Sequence, residues 1–135
     1  MREVKFRGYD TKLNQWIYGD LYKNHKYDAE YGEKTEYLIH RIIENEEGKT
    51  KYNSVSFNID EYSIGQFTGI QDCNGKDIYE GDFVKYKAGI GYVDFLFGTF
   101  SIILEEENIS LYEVFIGDEK VEVVDNLYNL GRREA

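Results

Sequence analysis

The chain has 135 residues, with 26 acidic side chains against 16 Lys and Arg, so its formal net charge at pH 7 is −10. Nucleic acid and anionic membranes are polyanions, so this charge opposes non-specific binding to either of them. The single cysteine excludes an intramolecular disulfide and a thiolate metal site. With 13 Gly, 13 Tyr and no Pro, the composition predicts strands and turns, since Tyr suits the half-buried surface of a sheet.

The N-terminal segment predicts an antiparallel hairpin. Apolar and basic residues alternate in Val4–Arg7, which is typical of a half-buried strand. Gly8–Gln15 predicts the connecting loop, and Trp16–Tyr18 predicts the returning strand. Two interpretations of Trp16 stay open: a side chain of the core, or a cation–π partner of Arg7 across the hairpin.

A second hairpin is predicted further along the chain. Lys23–Lys34 is polar and has no period, so it predicts an exposed, mobile loop. Thr35–Glu44 is compatible with a strand or a helix, and its length and β-branched residues favour a strand. Asn45–Gly48 predicts the turn and Lys49–Ile59 the strand that returns. Asp60 is expected to be the N-cap of one short helical turn.

Two tight turns lie close together in the middle of the chain. Residues 72–75 read Asp-Cys-Asn-Gly, which suits a type I turn followed by Gly75 in the left-handed conformation. A few residues later, Gly81 stands where a type II turn requires a positive φ. Strands are predicted on both sides of these turns: Gln66–Ile70, Lys76–Tyr79 and Phe83–Lys87. Turns this close together favour a small, strongly bent barrel of the SH3 type.

The last third of the chain predicts one more hairpin and a closing strand. Ala88–Gly91 contains two glycines and predicts a turn, after which Tyr92–Leu104 forms the most apolar hairpin of the chain. Leu111–Ile116 is compatible with a short strand or a helical turn, and Val121–Val124 predicts the closing strand. We expect the tail, Gly131–Ala135, to fray.

Three groups of motifs match those of one known family. They are the opening segment Glu3–Asp10, the closing segment Val123–Leu130, and a central group made of Val55, Ile64–Ile70, Asp72-x-Asn74-Gly75-Lys76 and Ile78–Lys85. In these residues the chain resembles the YopX family of phage and prophage proteins, whose closing segment usually has Gly where this chain has Asp125. The resemblance implies an SH3-like barrel in the C-terminal part and a role in phage or prophage biology. It carries over no catalytic residue.

These patterns predict a mainly-β (β-rich α+β) protein of two parts. Residues 1–62 are expected to form an N-terminal subdomain of antiparallel hairpins, and residues 63–135 a C-terminal subdomain with an SH3-type barrel. The start of the chain has no apolar signal region, and no apolar run approaches the roughly 20 residues of a membrane span, so we expect no membrane association. Together with the phage resemblance, these features favour the cytoplasm of a bacterial host.

No pattern in the sequence predicts catalysis or a bound cofactor. Cys73 lies at a turn tip without a neighbouring His, since the two histidines are His25 and His40. The acidic residues that follow Asp72 lack the Gly and Glu spacing of a calcium loop, and turn formation explains them without an ion. We therefore expect no enzyme activity, no metal and no cofactor.

Binding is the function that remains. Four aromatic side chains near the central turns are candidates for contact with a partner: Phe67, Tyr79, Tyr86 and Tyr92. The alternative for each of them is packing inside the barrel. We expect a protein partner with a basic surface that suits the acidic chain, and self-association into a homo-oligomer stays open. A nucleic-acid-associated regulator and an acidic mimic of DNA are the alternatives, and the charge of −10 counts against the first.

Overall fold

The structure, a computed structural model, describes residues 3–43 and 53–134. The chain divides into two compact units, Val4–Ile64 and a second unit whose described residues are Glu3 and Gly65–Glu134. Strands make up most of both units, and they pair antiparallel within each unit. The predicted mainly-β class is therefore confirmed. Within the described residues, no helix is long and apolar enough to span a bilayer.

The N-terminal unit is an antiparallel meander of strands in the order β4-β3-β2-β1. The strands are β1 (Phe6–Asp10), β2 (Gln15–Asp28), β3 (Gly32–Ile43) and β4 (Asn53–Asn58), and a short 3-10 helix (Glu61–Ser63) follows them. Ile17 of β2 and Ile39 of β3 meet Ile59, which follows β4, in a small buried cluster. The antiparallel hairpins predicted for this part of the chain are confirmed.

The loop predicted at Gly8–Gln15 is wrong, because β1 continues to Asp10 and only residues 11–14 form the turn. Gly8 stays inside the strand because the side chain of Ile59 packs onto it, and an added Cβ would collide with that side chain. Asp10 closes the turn: its Oδ1 accepts hydrogen bonds from the backbone N–H groups two and three residues on, at 2.9 and 3.1 Å. The polar turn is thus shorter than its composition predicts.

The loop predicted at Lys23–Lys34 is also wrong. These residues continue β2 and β3 outward as a two-stranded arm, which we call the arm. Both faces of its β2 side are exposed, so the sequence of the arm has no apolar alternation by which a strand is recognised. Polar cross-strand pairs line the arm: Lys26 Nζ lies 3.2 Å from Glu36 Oε2, and Thr35 Oγ1 lies 3.1 Å from His25 Nδ1.

The two interpretations of Trp16 are resolved by its contact with Arg7. The guanidinium carbon of Arg7 lies 4.8 Å from the centre of a Trp16 ring, which is a cation–π distance. Trp16 itself is half-buried. The cation–π interpretation is therefore confirmed.

The remaining predictions for this unit are confirmed where the structure describes the residues. Thr35–Glu44 is a strand as far as Ile43, whereas Glu44, the turn at Asn45–Gly48 and residues 49–52 of the returning strand lie outside the described residues. Asp60 is the N-cap of the 3-10 helix, and its Oδ1 accepts a hydrogen bond of 3.0 Å from a backbone N–H two residues on.

The C-terminal unit contains the other strands and two helices. They are β5 (Gly65–Gln71), β6 (Asp77–Tyr79), β7 (Asp82–Tyr86), β8 (Gly89–Leu96), β9 (Thr99–Ile103), β10 (Asn108–Ser110), α1 (Leu111–Ile116), β11 (Val121–Asn126) and α2 (Leu127–Glu134). Strand β5 pairs with β6, and the five later strands form a sheet in the order β10-β9-β8-β7-β11. The last strand, β11, thus pairs with β7, which is the first strand of this sheet, and the sheet is open between β10 and β11. The closed SH3-type barrel stays a prediction.

Both central turns have the geometry that the sequence predicts. Gly75 has a φ of 79°, and Asp72 Oδ1 accepts hydrogen bonds from the backbone N–H groups of Asn74 at 2.8 Å and Lys76 at 2.9 Å. Gly81 has a φ of 92°. These positive φ values are accessible to glycine because it has no Cβ. No helix interrupts residues 66–104, all of which the structure describes.

The turn predicted at Ala88–Gly91 is shorter than expected. Residues 87 and 88 alone connect β7 to β8, and Gly89 already pairs with Tyr86. Gly91 is not a turn residue, because it lies in β8 where a Cβ would come within 2.6 Å of the backbone oxygen of Ile103. This glycine therefore permits a close approach of neighbouring strands.

Two segments near the C-terminus are helical. The open choice at Leu111–Ile116 is resolved as the helix α1. The tail is helical as far as Glu134, where the sequence predicts fraying from Gly131. Asn126 begins this last helix, and its Oδ1 accepts a hydrogen bond of 2.8 Å from the backbone N–H of Asn129.

The core of the C-terminal unit lies between its sheet and α1. Its buried side chains come from β6 to β9, α1 and β11: Ile78, Val84, Tyr86, Val93, Phe100, Ile102, Leu111, Val114 and Val121. The core positions of β7, Val84 and Tyr86, are two residues apart, as on one face of a strand. Those of α1, Leu111 and Val114, are three residues apart, as on one face of a helix. This core supports the β8–β9 hairpin and α1, which both carry exposed apolar side chains.

Candidate protein-contact surface

The four aromatic residues predicted as contact residues are mostly part of the interior. Phe67, Tyr79 and Tyr86 are 5%, 3% and 2% exposed, so the expectation that they are exposed is wrong. Phe67 and Tyr79 pack together with their ring centres 5.5 Å apart. Tyr92 is half-buried against Phe83, at 6.4 Å between ring centres. Packing inside the unit, the alternative given above, describes these residues better.

The hydroxyl of Tyr86 reaches the edge of the core. It donates a hydrogen bond to the carboxylate of Glu119, and Lys87 Nζ lies 3.8 Å from the same carboxylate. The hydrogen bond to Glu119 raises the pKa of Tyr86, because the carboxylate stabilises the protonated phenol. This contact holds the hydroxyl of a buried tyrosine in place.

Among the described residues, the most exposed aromatic side chain lies at the tip of the β8–β9 hairpin. Phe97 and Gly98 form its two-residue turn, with φ values of 52° and 81°. Two positive φ values are the mark of a type I′ turn, in which Asn-Gly is the preferred pair. The side chain of Phe97 is fully exposed, so no packing of the folded chain explains an aromatic residue there.

Helix α1 contributes a second group of exposed apolar side chains. Leu111 and Val114 face the core, while Tyr112, Phe115 and Ile116 are each more than half exposed. Glu113 is the only charged residue of this helix. Large apolar side chains on the outward side of a helix as well as on its inward side are typical of a segment covered on both sides. The outward side of α1 therefore has the composition of a contact surface.

An open hollow of about 370 Å³ connects the hairpin to the helix. Phe95, Phe100, Tyr112 and Phe115 line it, together with small and aliphatic residues, and none of the lining residues is charged. Phe95 stacks edge-on against Phe100, with ring centres 5.0 Å apart, and stays half exposed. We call the exposed set the aromatic surface: Phe95, Phe97, Tyr112, Phe115 and Ile116.

A second hollow of about 380 Å³ lies beside the first and shares Phe115 with it. Its lining includes Asp72, Cys73 and Lys120. Burial raises the pKa of the Asp72 carboxyl, but backbone N–H donors outweigh this effect and its pKa lies below the ordinary value. Asp72 Oδ2 accepts one of these bonds, of 2.9 Å, from Val123, so this carboxylate holds the β5–β6 turn against β11.

The lining of the two hollows contains no histidine. Cys73 is exposed, and neither His25 nor His40 lines either hollow. Among residues 3–43 and 53–134, no three His, Cys, Asp or Glu side chains come together as metal ligands would. The first hollow, which has no charged residue in its lining, offers apolar area at the surface.

Sequence reasoning missed the aromatic surface although two signals for it were visible. One is Phe-Gly at a two-residue turn, where a polar residue is usual before Gly. The other is the segment 111–116, whose outward positions other than Glu113 are large and apolar. The aromatic residues next to the central turns alternate into the core instead.

Comparisons with known proteins give a family. No match was found among curated proteins. A crystal structure of protein EF1440 from Enterococcus faecalis is similar, with a TM-score of 0.49 and 18% sequence identity over 94% of each chain. The family model described as YopX protein matches residues 5–130, which is nearly the whole chain. The chain therefore belongs to the YopX family.

Proposed function

We propose that this chain is a non-enzymatic accessory protein of a phage or prophage, and that it acts in the cytoplasm of the bacterial host by binding another protein. The binding element is the aromatic surface. Large apolar side chains that are exposed together on a folded unit are typical of contact sites. Aromatic residues also supply most of the binding energy in many interfaces, since each buries a large area at a small entropic cost.

The observation that carries the proposal is Phe97. Its positive φ is unfavourable for a side chain with a bulky Cβ substituent, and its ring touches nothing that would offset that strain. A residue that opposes the local fold without adding to the core is best explained by a role outside the fold. Contact with a partner is such a role.

The hollow supports binding better than catalysis. Tyr112 is the only titratable residue in its lining, and an acid–base reaction needs two positioned groups with matched pKa values. Apolar lining with a few polar atoms is suited to the insertion of side chains from a partner. The hollow beside Phe115 and Phe95 gives such side chains a place.

The proposal is tested by capture of host proteins on the purified chain. Replacing Phe97, Tyr112 and Phe115 by Ser removes the aromatic surface, and we expect the captured protein to be lost. The matched control replaces Tyr27 and Tyr62 by Ser, because both are about as exposed but belong to the N-terminal unit. Capture by the control should equal that of the natural chain, whereas equal capture by the triple variant would contradict the proposal.

Self-association and nucleic-acid binding compete with this proposal, and two measurements separate them. Light scattering gives the mass of the natural chain and of the triple variant. A mass that falls to one protomer in the variant would assign the surface to a second copy. A mobility-shift assay at low salt tests the nucleic-acid-associated regulator, and tight, salt-sensitive binding would overturn the proposal.

A further inference from the structure

The segment of the chain that includes the aromatic surface is acidic. Gly89–Glu119, which includes β8, β9, β10 and α1, has no Lys or Arg, so all 16 basic residues of the chain lie elsewhere. The same segment carries seven acidic residues: Asp94, Glu105, Glu106, Glu107, Glu113, Asp118 and Glu119. Most of the formal charge of −10 is therefore located in this segment.

Two of these carboxylates are exposed, and in the sequence they lie within a few residues of the exposed aromatic side chains. Glu113 is exposed on α1 between Tyr112 and Phe115. Asp118 is exposed directly after α1, at a φ of 54°, and it lines the second hollow with Phe115. Lys120 lines that hollow as well, so one cation is present at this end. An apolar centre with a mainly acidic periphery is the result.

We infer that the aromatic surface binds a basic amphipathic segment of its partner, with apolar side chains in the hollow and Lys or Arg opposite Glu113 and Asp118. The inference rests on the proposed function and adds the chemistry of the ligand. Burial of apolar area in the hollow supplies affinity. Opposite charges at the rim accelerate association and exclude partners of the wrong sign.

Charge decides between this ligand and the other candidates. A second copy of the chain in a two-fold interface would bring the same acidic segment against itself, and like charges across an interface are unfavourable. Nucleic acid and anionic lipid present phosphate to the same carboxylates and are repelled for the same reason. A basic segment, in contrast, is attracted by these carboxylates.

The test uses two synthetic peptides of equal length with a fluorescent label. Both have Leu and Phe at helical spacing, and the other positions are Lys in one peptide and Glu in the other. Fluorescence anisotropy with the full chain measures their dissociation constants at low and at physiological salt. We expect the Lys peptide to bind at least about tenfold more tightly than the Glu peptide at low salt, and this ratio to fall with added salt.

Variants of the chain locate the binding. Phe115→Ser is expected to weaken binding of the Lys peptide about tenfold, because a central aromatic anchor of the contact is lost. The double change Glu113→Gln and Asp118→Asn should weaken it about threefold and flatten the salt dependence. The matched control, Glu30→Gln with Glu33→Gln, removes the same charge from exposed positions of the arm and should change binding less than about twofold. Unchanged circular dichroism shows that each variant is folded.

The outcomes separate the inference from the proposed function. Equal affinity for the two peptides, no binding of either, or equal loss in the two pairs of charge variants would overturn the inference. If host-protein capture still depends on Phe97, Tyr112 and Phe115 in that case, the proposed function stands and the ligand is not basic. If capture does not depend on them, both are wrong.

Discussion

The two units of the chain obtain their stability in different ways. In the C-terminal unit, side chains from the sheet and from α1 enclose a large buried cluster that includes Ile102 and Leu111. Among the described residues of the N-terminal unit, the buried cluster consists of Ile17, Ile39 and Ile59, and long strands extend beyond it. A unit with few buried apolar side chains depends more on its backbone hydrogen bonds, which contribute little net free energy each. The C-terminal unit is thus the better support for a binding surface.

Two hairpins show the same difference locally. In β8–β9, alternate residues such as Val93 and Ile102 are buried, so one face of the hairpin belongs to the core. In the arm, β2 is exposed on both faces. A two-stranded hairpin without a buried face is marginally stable in water. We therefore expect the backbone amides of the arm to exchange with solvent faster than those of β8–β9.

The largest effect is expected from truncation in the larger core. Ile102→Ala should lower the free energy of unfolding by about 4 kcal/mol, since Ile102 is fully buried on all sides. Ile39→Ala, at an equally buried position of the N-terminal unit, should lower it by about 3 kcal/mol, because half-buried neighbours can relax into the space. Urea unfolding followed by circular dichroism measures both. An equal or larger loss for Ile39→Ala would remove the distinction between the two cores.

The next effect compares two aspartates that close hairpins in the two units. Asp72 is buried and accepts backbone hydrogen bonds from its own turn and from Val123, whereas Asp28 is exposed and accepts them from its own turn alone. Asp72→Ala should lower the free energy of unfolding by about 3 kcal/mol, because buried donors lose a charged acceptor. Asp28→Ala should lower it by about 0.5 kcal/mol. Similar losses in urea unfolding would contradict the comparison.

The charge of Asp72 also predicts a dependence on pH. Its pKa in the folded chain lies below the ordinary value of 3.8, so the unfolded chain takes up the proton first as the pH falls. The stabilisation by this carboxylate is complete above about pH 5 and is lost as the pH falls through the unfolded and then the folded pKa. We expect Asp72→Asn to be less stable than the natural chain at pH 7, and the difference to shrink at pH of about 3. Urea midpoints at the two pH values measure this, and a constant difference would show that the charge contributes nothing.

The smallest effect has the opposite sign. Phe97→Asn should raise the free energy of unfolding by about 0.5 kcal/mol, since Asn tolerates the left-handed φ and the lost ring is fully exposed. The same change should weaken capture of the partner. Thermal unfolding and the capture assay together test it. A loss of stability would mean that the ring contributes to the fold after all, which would remove the argument for its role in binding.

The sequence was informative wherever a few adjacent residues determine the geometry. The central turns were predicted because Asp72 and Gly75 act on the backbone within four residues, and Asp60 was recognised as a cap for the same reason. The mainly-β class followed from apolar alternation in β7, β8 and β9. These features need no knowledge of the distant parts of the chain.

What the sequence did not predict depends on contacts between distant residues. Strand pairing in the arm joins residues whose side chains are polar on both strands, so no local pattern marks it. The burial of Tyr79 and Tyr86 is decided by which face of the sheet covers the core, and a shift by one residue would reverse it. The aromatic surface arises only when β8, β9 and α1 come together.

The position of Cys73 has a practical consequence. Its backbone N–H is held by the carbonyl oxygen of Val121 at 2.9 Å, while its thiol is exposed in a hollow that includes Phe115. The natural chain can therefore carry one maleimide-linked fluorophore at a rigid backbone position next to α1, without any engineered mutation. Occupancy of the aromatic surface could then be followed as a change in dye emission.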